Sequence, residues 1–554
     1  MNEMRSAKRA RHGGRKGLTT LAAEQAQPVR EDPNVIRNRL IFGFGGMLIG
    51  QFLAYLDIQI VNSSLAQIQA GTSASSDEIS WVQSAYLIAE VVMIPLSSYL
   101  ARWWGTQRLF MISCTGFVIM SVLTGLSSDI DTMILTRALQ GFVGGAMIPT
   151  VFAVAFSAFP PERRMISSVI MSTVISMAPT IGPTLGGQIT ELLSWRWLFF
   201  INVPFGLLVL FLVGKFGDFD RPDPRLARNF DWTALICMAL FLMCGQYVLE
   251  EGTGEAWFQS DLILGLTVLS LLGGIVFIWR SLKSANPIVE LSAFGDRNFR
   301  VGCFLTFISG IGLFGSTYLL PLFLARVRGD SPGQIGATMV VSGIVMFAMG
   351  PIATRLAQFV PPRPQIILGF FIAATGMWIS RDVTPEWGFN QYLVLQITRS
   401  AGLALVMFTT QNITMGTLSP ALMKSAGSLV NLSRNLGGAF ALAVLTTVLA
   451  THSAQHFHDL SAGFSMTHAG GAEMISGLSA HMQDLGLSRP DAAAQKMMAS
   501  ILRRDALVMA FSDCYTYLAF GFAFAALISL TAKPTRLSNA PVATDTVKSN
   551  QPVE

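Results

Sequence analysis

Carboxylates stand in long apolar stretches of this chain at Asp57 in FLAYLDIQIV and at Glu90 in YLIAEVVMIP. A charged carboxylate at mid-membrane depth costs about 2.5–3.5 kcal/mol on insertion scales, so one that is kept there is a functional candidate by default. Burial favours the neutral acid and a neighbouring cation favours the charged form. A group poised between the two can carry a proton or hold a cationic ligand. The plain alternative is an acid that only pairs with an arginine or a helix end. The matching cations are Arg137 in LTRALQG and Arg399 in ITRSAGL, each followed by small residues. Asn62, Asn431 and Arg434 are further polar groups in apolar runs. With Arg399 they are candidates to line a cavity or bridge two parts of the fold. Tyr318, Phe314 and Met407 rank lower, because aromatic and methionine side chains on apolar helices usually fill cores.

The elements that must position these groups are membrane helices. Of the 554 residues 51% are hydrophobic and only 13% charged, and the mean hydropathy is +0.51. A soluble protein carries about 25% charge. Apolar runs recur at 40–61, 81–100, 109–127, 132–156, 165–190, 198–214, 233–249, 261–279, 301–324, 335–357, 365–380, 391–414, 427–450 and 507–530. Each is near the length of about 20 residues that a spanning helix needs, which gives about fourteen spans. The fold class is therefore all-α integral membrane. A soluble enzyme, a disordered scaffold and a disulfide-stapled secreted domain are excluded. So is a β-barrel, whose strands would be about 10 residues long and alternating.

The net charge of +5 and pI near 9.0 do not point to nucleic acid. The basic residues sit in short loops and in a polar tail, 1–39. With the N-terminus inside, the inner loops hold about 15 of them, Arg102, Arg108, Arg163 and Arg164 included, against about 4 outside. Both termini are then cytoplasmic. The tail lacks a short apolar segment with a small-residue cleavage site, so no signal peptide is expected. The 5 cysteines lie in apolar runs without a CxxC pair and read as packed thiols.

Depth along the helices narrows the chemistry. Asp57 lies about five residues from the outer end of the first span and Arg137 about five from the outer end of the fourth, so at 1.5 Å per residue they share a level. There is also a weak internal repeat: LTRALQGFVGG (135–145) is similar to ITRSAGLALVM (397–407), and SSYLAR (97–102) to GPIATR (350–355). Two six-span halves with two extra spans between them is a transporter pattern. In the fifth span, Gly182, Gly186 and Gly187 permit close helix approach while Pro179 and Pro183 remove N–H donors and bend the helix, as suits a moving interface.

Several segments carry a resemblance: LDIQIVNSSL (56–65), TRALQGFVGGAMIP (136–149), APTIGPTLGG (178–187), WRWLFFINVPFG (195–206), NPIVELSAFGDRNF (286–299) and NLSRNLGGAF (431–440). In that order they resemble the 14-span drug:proton antiporters of the EmrB/QacA type, within the major facilitator superfamily (MFS). The resemblance runs from about residue 40 to 532. It implies an MFS fold divided into a basic cytoplasmic tail (1–39), an N-terminal six-helix bundle (40–214), a linker with two extra spans (215–300), a C-terminal six-helix bundle (301–531) and a cytoplasmic tail (532–554). It implies that the first and fourth spans face each other, so that Asp57 can pair with Arg137, and that the arginine takes part in proton coupling. It makes Pro179, Gly182, Pro183, Gly186 and Gly187 the antiporter motif. The expected activity is proton-coupled efflux of amphipathic or cationic small molecules by alternating access, with Asp57, Arg137 and Glu90 in the coupling. An uptake symporter or facilitator, or a non-transporting receptor on the same fold, is the alternative. The implied location is the inner membrane, and the implied partners are a small-molecule substrate, protons, lipid and a periplasmic membrane-fusion adaptor with an outer-membrane channel.

One segment departs from the family pattern. Where the family's loop between the second and third spans reads GxLaDRxGRR, this chain has SYLARWWGTQR (98–108), with Ser98 for the glycine, Arg102 for the acid and Trp103 for an arginine. The charge at the acid's position is reversed, so the inner lock must be rewired or weaker. One loop also stands apart. Residues 451–506 hold His452, His456, His458, His468 and His481 of the chain's 6 histidines. The HSAQHFH run puts two imidazoles on one helix face, a spacing that can hold a metal. The preferred reading is an amphipathic outer hairpin or a docking surface, and no metal or cofactor is expected. No GxxxxGK[ST] loop is present, so the energy must come from an ion gradient rather than ATP.

Overall fold

Within a bilayer every backbone N–H and C=O must be satisfied inside its own segment, and the apolar runs accordingly fold as helices. The computed structural model describes residues 33–531 apart from 63, 76–77, 221, 285, 417, 419–421, 464–468 and 485–488. Residues 1–32 and 532–554 of the two expected tails, His468, and the side chains of Asn62 and Pro179 lie outside the described residues. The described residues form no strand.

The helices are α1 (Pro33–Asn62), α2 (Trp81–Trp104), α3 (Thr106–Leu126), α4 (Ile130–Ser157), α5 (Pro161–Leu192), α6 (Trp197–Phe216), α7 (Trp232–Glu251) and α8 (Asp261–Lys283). There follow α9 (Arg297–Phe323), α10 (Pro332–Phe359), α11 (Pro362–Ser380), α12 (Phe389–Gly416), α13 (Met423–Gly463), α14 (Ala469–Asp484) and α15 (Pro490–Ser529). Polar side chains seal several starts. Asp129, Asp231 and Asp296 accept from the N–H groups of Thr132, Ala234 and Phe299, and Ser331 forms a capping box with Gln334. α4 breaks at Gly145 and Ala146, between Ile130–Gly144 and Met147–Ser157.

Twelve of these helices are long and apolar enough to cross a membrane. α5 and α11, of 32 and 19 residues, are not among them. α11 opens on Pro-Arg-Pro-Gln, which shortens its apolar run. The stretch 451–506 is not an open loop. α13 runs on through it to Gly463, α14 lies within it and α15 begins at Pro490. With 41 residues α13 is about 60 Å long at 1.5 Å per residue. A hydrocarbon core is about 30 Å thick, so α13 and α15 project as a helical hairpin.

α1 packs on α5 and α6, α2 on α4, α9 on α13, and α12 on α11 and α10. The first group of helices meets the second where α5 packs on α10 and touches α12, and where the later part of α4 together with α2 packs against α13. α7 packs on α8 and also touches both α2 and α13.

Candidate functional site

Asp57 and Arg137 meet at the centre of the first group of helices, with both side chains fully buried. Arg137 Nη1 lies 2.5 Å from Asp57 Oδ2. The guanidinium also donates to the Val82 carbonyl (3.0 Å) and to Gln140 Oε1 (3.0 Å), and its Cζ lies 4.4 Å from the centre of the Tyr86 ring. Asp57 Oδ1 accepts from Gln140 Nε2 (3.1 Å) and Asn202 Nδ2 (2.8 Å), and Asn202 also reaches Ser121 Oγ at 2.9 Å. The acid on α1 is thus held by α4 and α6 together. A dry ion pair is tolerable when most of its remaining lone pairs and protons are satisfied, and here Arg137 Nη2 is the one end left without a hydrogen-bond partner among the described residues.

Glu90 has the opposite surroundings. It is 2% exposed, and its Oε1 has no hydrogen-bond partner among the described residues. It lines a cavity of about 690 Å³ between the two groups of helices. Tyr55, Gln59, Leu87 and Val91 line the cavity from α1 and α2, and Phe314, Thr317 and Tyr318 from α9. Asn435, Leu442 and Thr446 complete it from α13, and Gln246, Glu250 and Glu251 from α7. Its charged lining is Glu90, Glu250, Glu251 and Asp330 against Arg326, so acids outnumber bases. Gln246 Nε2 donates to Glu250 at 2.9 Å, and Ser84 Oγ donates to Glu251 at 3.0 Å. The lining reaches from mid-helix at Tyr55 and Glu90 to the helix ends at Ser80, Glu251 and Asp330.

The fifth-span residues lie where helices approach closely. A Cβ on Gly182 would stand 2.7 Å from Gln59 Cβ on α1, and one on Gly336 of α10 would stand 2.5 Å from Thr184 Oγ1 on α5. Pro183 lines the cavity, the Gly186 carbonyl accepts from Ser64 Oγ at 3.4 Å, and Gly187 is buried. Asn431 accepts a hydrogen bond from the Tyr55 hydroxyl at 3.1 Å, which links α1 to α13. Arg434 is buried one turn further along, with its Cζ 5.5 Å from the Phe152 ring. Arg399 and Met407 are buried within the second group, and neither lines the cavity.

The altered loop finds its partners in the linker. The Arg102 guanidinium pairs with the Glu290 carboxylate and donates to the Pro287 carbonyl at 2.9 Å, while Ser98 Oγ donates to the Ile288 carbonyl at 3.4 Å. Thr106 is held by Asp220 through its N–H (2.8 Å) and hydroxyl (2.6 Å). The reversed charge is therefore answered by an acid on the segment before α9.

Sequence reasoning missed Gln140, Asn202, Glu250 and Glu251. Gln140 and Asn202 are polar groups in apolar runs, a signal that was present. Glu250 and Glu251 open the acidic run EEGTGE (250–255) at a helix end, where acids are ordinary, and only the packing of α7 between α2 and α13 turns them toward the cavity. Among the described residues no group of three metal-ligating side chains lies in the cavity lining.

The family model of the Major Facilitator Superfamily matches residues 47–442. The chain is 34% identical to the Colistin resistance protein EmrB of Acinetobacter baumannii, over 86% of this chain and 93% of that protein. It is 28% identical to the Multidrug export protein EmrB of Escherichia coli, over 80% and 86% of the two chains. A solved structure of the MFS proton:xylose symporter XylE superimposes with a TM-score of 0.59 at 12% identity, covering 90% of this chain and 97% of that one. With that match in sequence and this helical architecture, the chain belongs to the Major Facilitator Superfamily.

Proposed function

We propose that this protein exports amphipathic or cationic small molecules in exchange for protons, by alternating access of the cavity to the two sides of the membrane. The observation that carries the reading is the pairing of two unlike acids. Glu90 lies in an acid-rich cavity with an unpartnered oxygen, one helix away from the dry Asp57–Arg137 pair. A cation entering the cavity neutralises Glu90, and a proton does the same, so the two ligands compete. The names of the relatives, multidrug export and colistin resistance, support the substrate class.

The twelve apolar helices together with α5 and α11 give fourteen spans. In this reading α1–α6 and α9–α15 without α14 are the two six-helix bundles, 40–214 and 301–531, and α7 and α8 are the linker spans of 215–300. The termini are cytoplasmic and the membrane is the inner one, which makes the projecting hairpin of α13–α15 periplasmic. An adaptor partner would meet it there. The cavity then faces outward, closed at the Arg102 end.

The test is substrate-driven proton flux in everted vesicles across cationic, neutral and anionic compounds, with wild type beside Glu90→Gln. Flux for cations that falls by at least about tenfold in the variant, in protein that is normally folded and inserted, supports the reading. Equal flux in both moves the competition site away from Glu90. Accumulation of substrate without counterflow of protons would replace antiport by uptake.

A further inference from the structure

We propose that His452, His456 and Asp513 form a binding site for a divalent first-row metal of the zinc class, which clips α13 to α15 at the base of the projecting hairpin. The two histidines are one helical turn apart and present their rings on one side of α13. Asp513 comes from the facing helix, 57 residues after His456. Nδ1 of His452 lies 2.7 Å and Nε2 of His456 2.8 Å from the same oxygen, Asp513 Oδ2. One ligand atom from each residue falls within 4.8 Å of the other two. None of the three residues lines the central cavity, so the site is separate from transport and does not depend on how transport works.

The chemistry of the set selects the ion. Two imidazoles and one carboxylate suit zinc, nickel or copper better than calcium or magnesium, which take oxygen ligands. Ligand atoms bound at about 2.0–2.2 Å in a tetrahedron lie about 3.3 Å apart. The two nitrogen–oxygen distances therefore have to lengthen by about 0.5 Å to admit the ion, with the two ring nitrogens settling at the same spacing by side-chain rotation. The side chains are 28%, 22% and 34% exposed, so the ion can enter from water and a water can complete its shell. Without metal each facing ring nitrogen donates a proton to the shared oxygen. With metal that nitrogen gives its lone pair to the ion, and its proton moves to the far ring nitrogen or to solvent. The third histidine of the run does not belong to the set. His458 is 83% exposed and lies beside Asp459, 3.7 Å away.

The site has a mechanical consequence. α13 and α15 extend well past the thickness of a bilayer, and beyond it they pack on each other. A metal that binds only the folded pair of helices stabilises that extension by mass action.

The experiment uses the full chain in detergent, stripped with a chelator and titrated with zinc chloride against a chromophoric indicator. The expected result is one tight equivalent, weakened at least about tenfold by Asp513→Asn and by the double variant His452→Gln/His456→Gln, and unchanged in His458→Gln. Zinc should raise the melting temperature of wild type and His458→Gln but not of the other two, and magnesium should not compete. Cobalt(II) provides a readout on wild type alone, even if a variant fails to fold: its visible absorption bands should appear on binding and vanish on adding zinc. Wild type that binds zinc no better than the double variant, or shows no cobalt bands, overturns the proposal and leaves a hydrogen-bonded staple. Loss of binding in His458→Gln overturns it as well.

Discussion

Arg137 and Arg399 occupy similar sequence settings on α4 and α12, and the structure treats them differently. Both are buried. Arg137 faces the Asp57 carboxylate at 2.5 Å. Arg399 faces the Ser316 carbonyl at 2.9 Å, Ser342 Oγ at 2.5 Å and Gln396 Oε1, and no carboxylate pairs with it among the described residues. One half of the molecule thus holds a cation against a titratable acid, the other a cation against dipoles alone. Removing the Asp57 charge would leave Arg137 without its counter-ion, whereas Arg399 has no counter-ion to lose among the described residues. The two arginines share a sequence setting, and what separates them is the carboxylate that stands beside Arg137 and has no counterpart beside Arg399 among the described residues.

The largest effect expected from breaking this contrast is that of Asp57→Asn. It keeps the shape and leaves a buried guanidinium without its counter-ion. Loss of one partner of a buried pair costs about 3–5 kcal/mol, so thermal unfolding in detergent should show a strong destabilisation. Substrate-driven proton flux should be lost. The double variant Asp57→Asn/Arg137→Met should recover most of the stability and none of the flux. Recovered flux in the double variant would reduce the pair to a structural role.

That pair also marks what the sequence makes legible. Asp57 and Arg137 stand out because a charge in an apolar run is costly, and their common depth follows from helix rise. Long-range contacts are less accessible. Glu290 as the partner of Arg102, and Glu250 as a wall of the cavity, depend on how the linker helices dock, which no local pattern encodes. Asp513 failed for a different reason. It sits in an apolar run just as Asp57 does, and the histidines that explain it lie in another segment. The outer hairpin is readable from the polar stretch 451–506, but its helices continue those of the membrane, because a helix already nucleated extends at little cost even through residues of modest propensity.

A smaller effect is expected at the other arginine. Arg399→Gln removes an uncompensated buried cation but takes one donor from the Ser316 carbonyl and from the Ser342–Gln396 pair, whose two members remain bonded to each other. The first change relieves a cost and the second adds about 1–3 kcal/mol. The net loss should be well below that of Asp57→Asn, and flux should stay within about threefold of wild type, a change below 0.7 kcal/mol in the barrier. A loss of flux equal to that of Asp57→Asn would mean that coupling passes through both halves, and the contrast between the two arginines would fail.

The smallest effect sharpens the comparison by separating pairing from dryness. Arg102 is paired with Glu290, as Arg137 is with Asp57, but these two side chains are 19% and 20% exposed. Water screens such a pair, and partly exposed ion pairs contribute about 0.2–1 kcal/mol. Arg102→Gln should therefore lower the unfolding free energy by no more than that, and leave proton coupling unchanged. Its effect should fall in the rate of exchange between cavity orientations, because the pair joins the end of α2 to the segment that leads into α9. Substrate exchange measured without a proton gradient isolates that step, and a rise of about fivefold or less matches a bond of this size. Coupling that collapses in Arg102→Gln would show that pairing alone, wet or dry, suffices, and would remove the reason for placing Asp57 where no water reaches it.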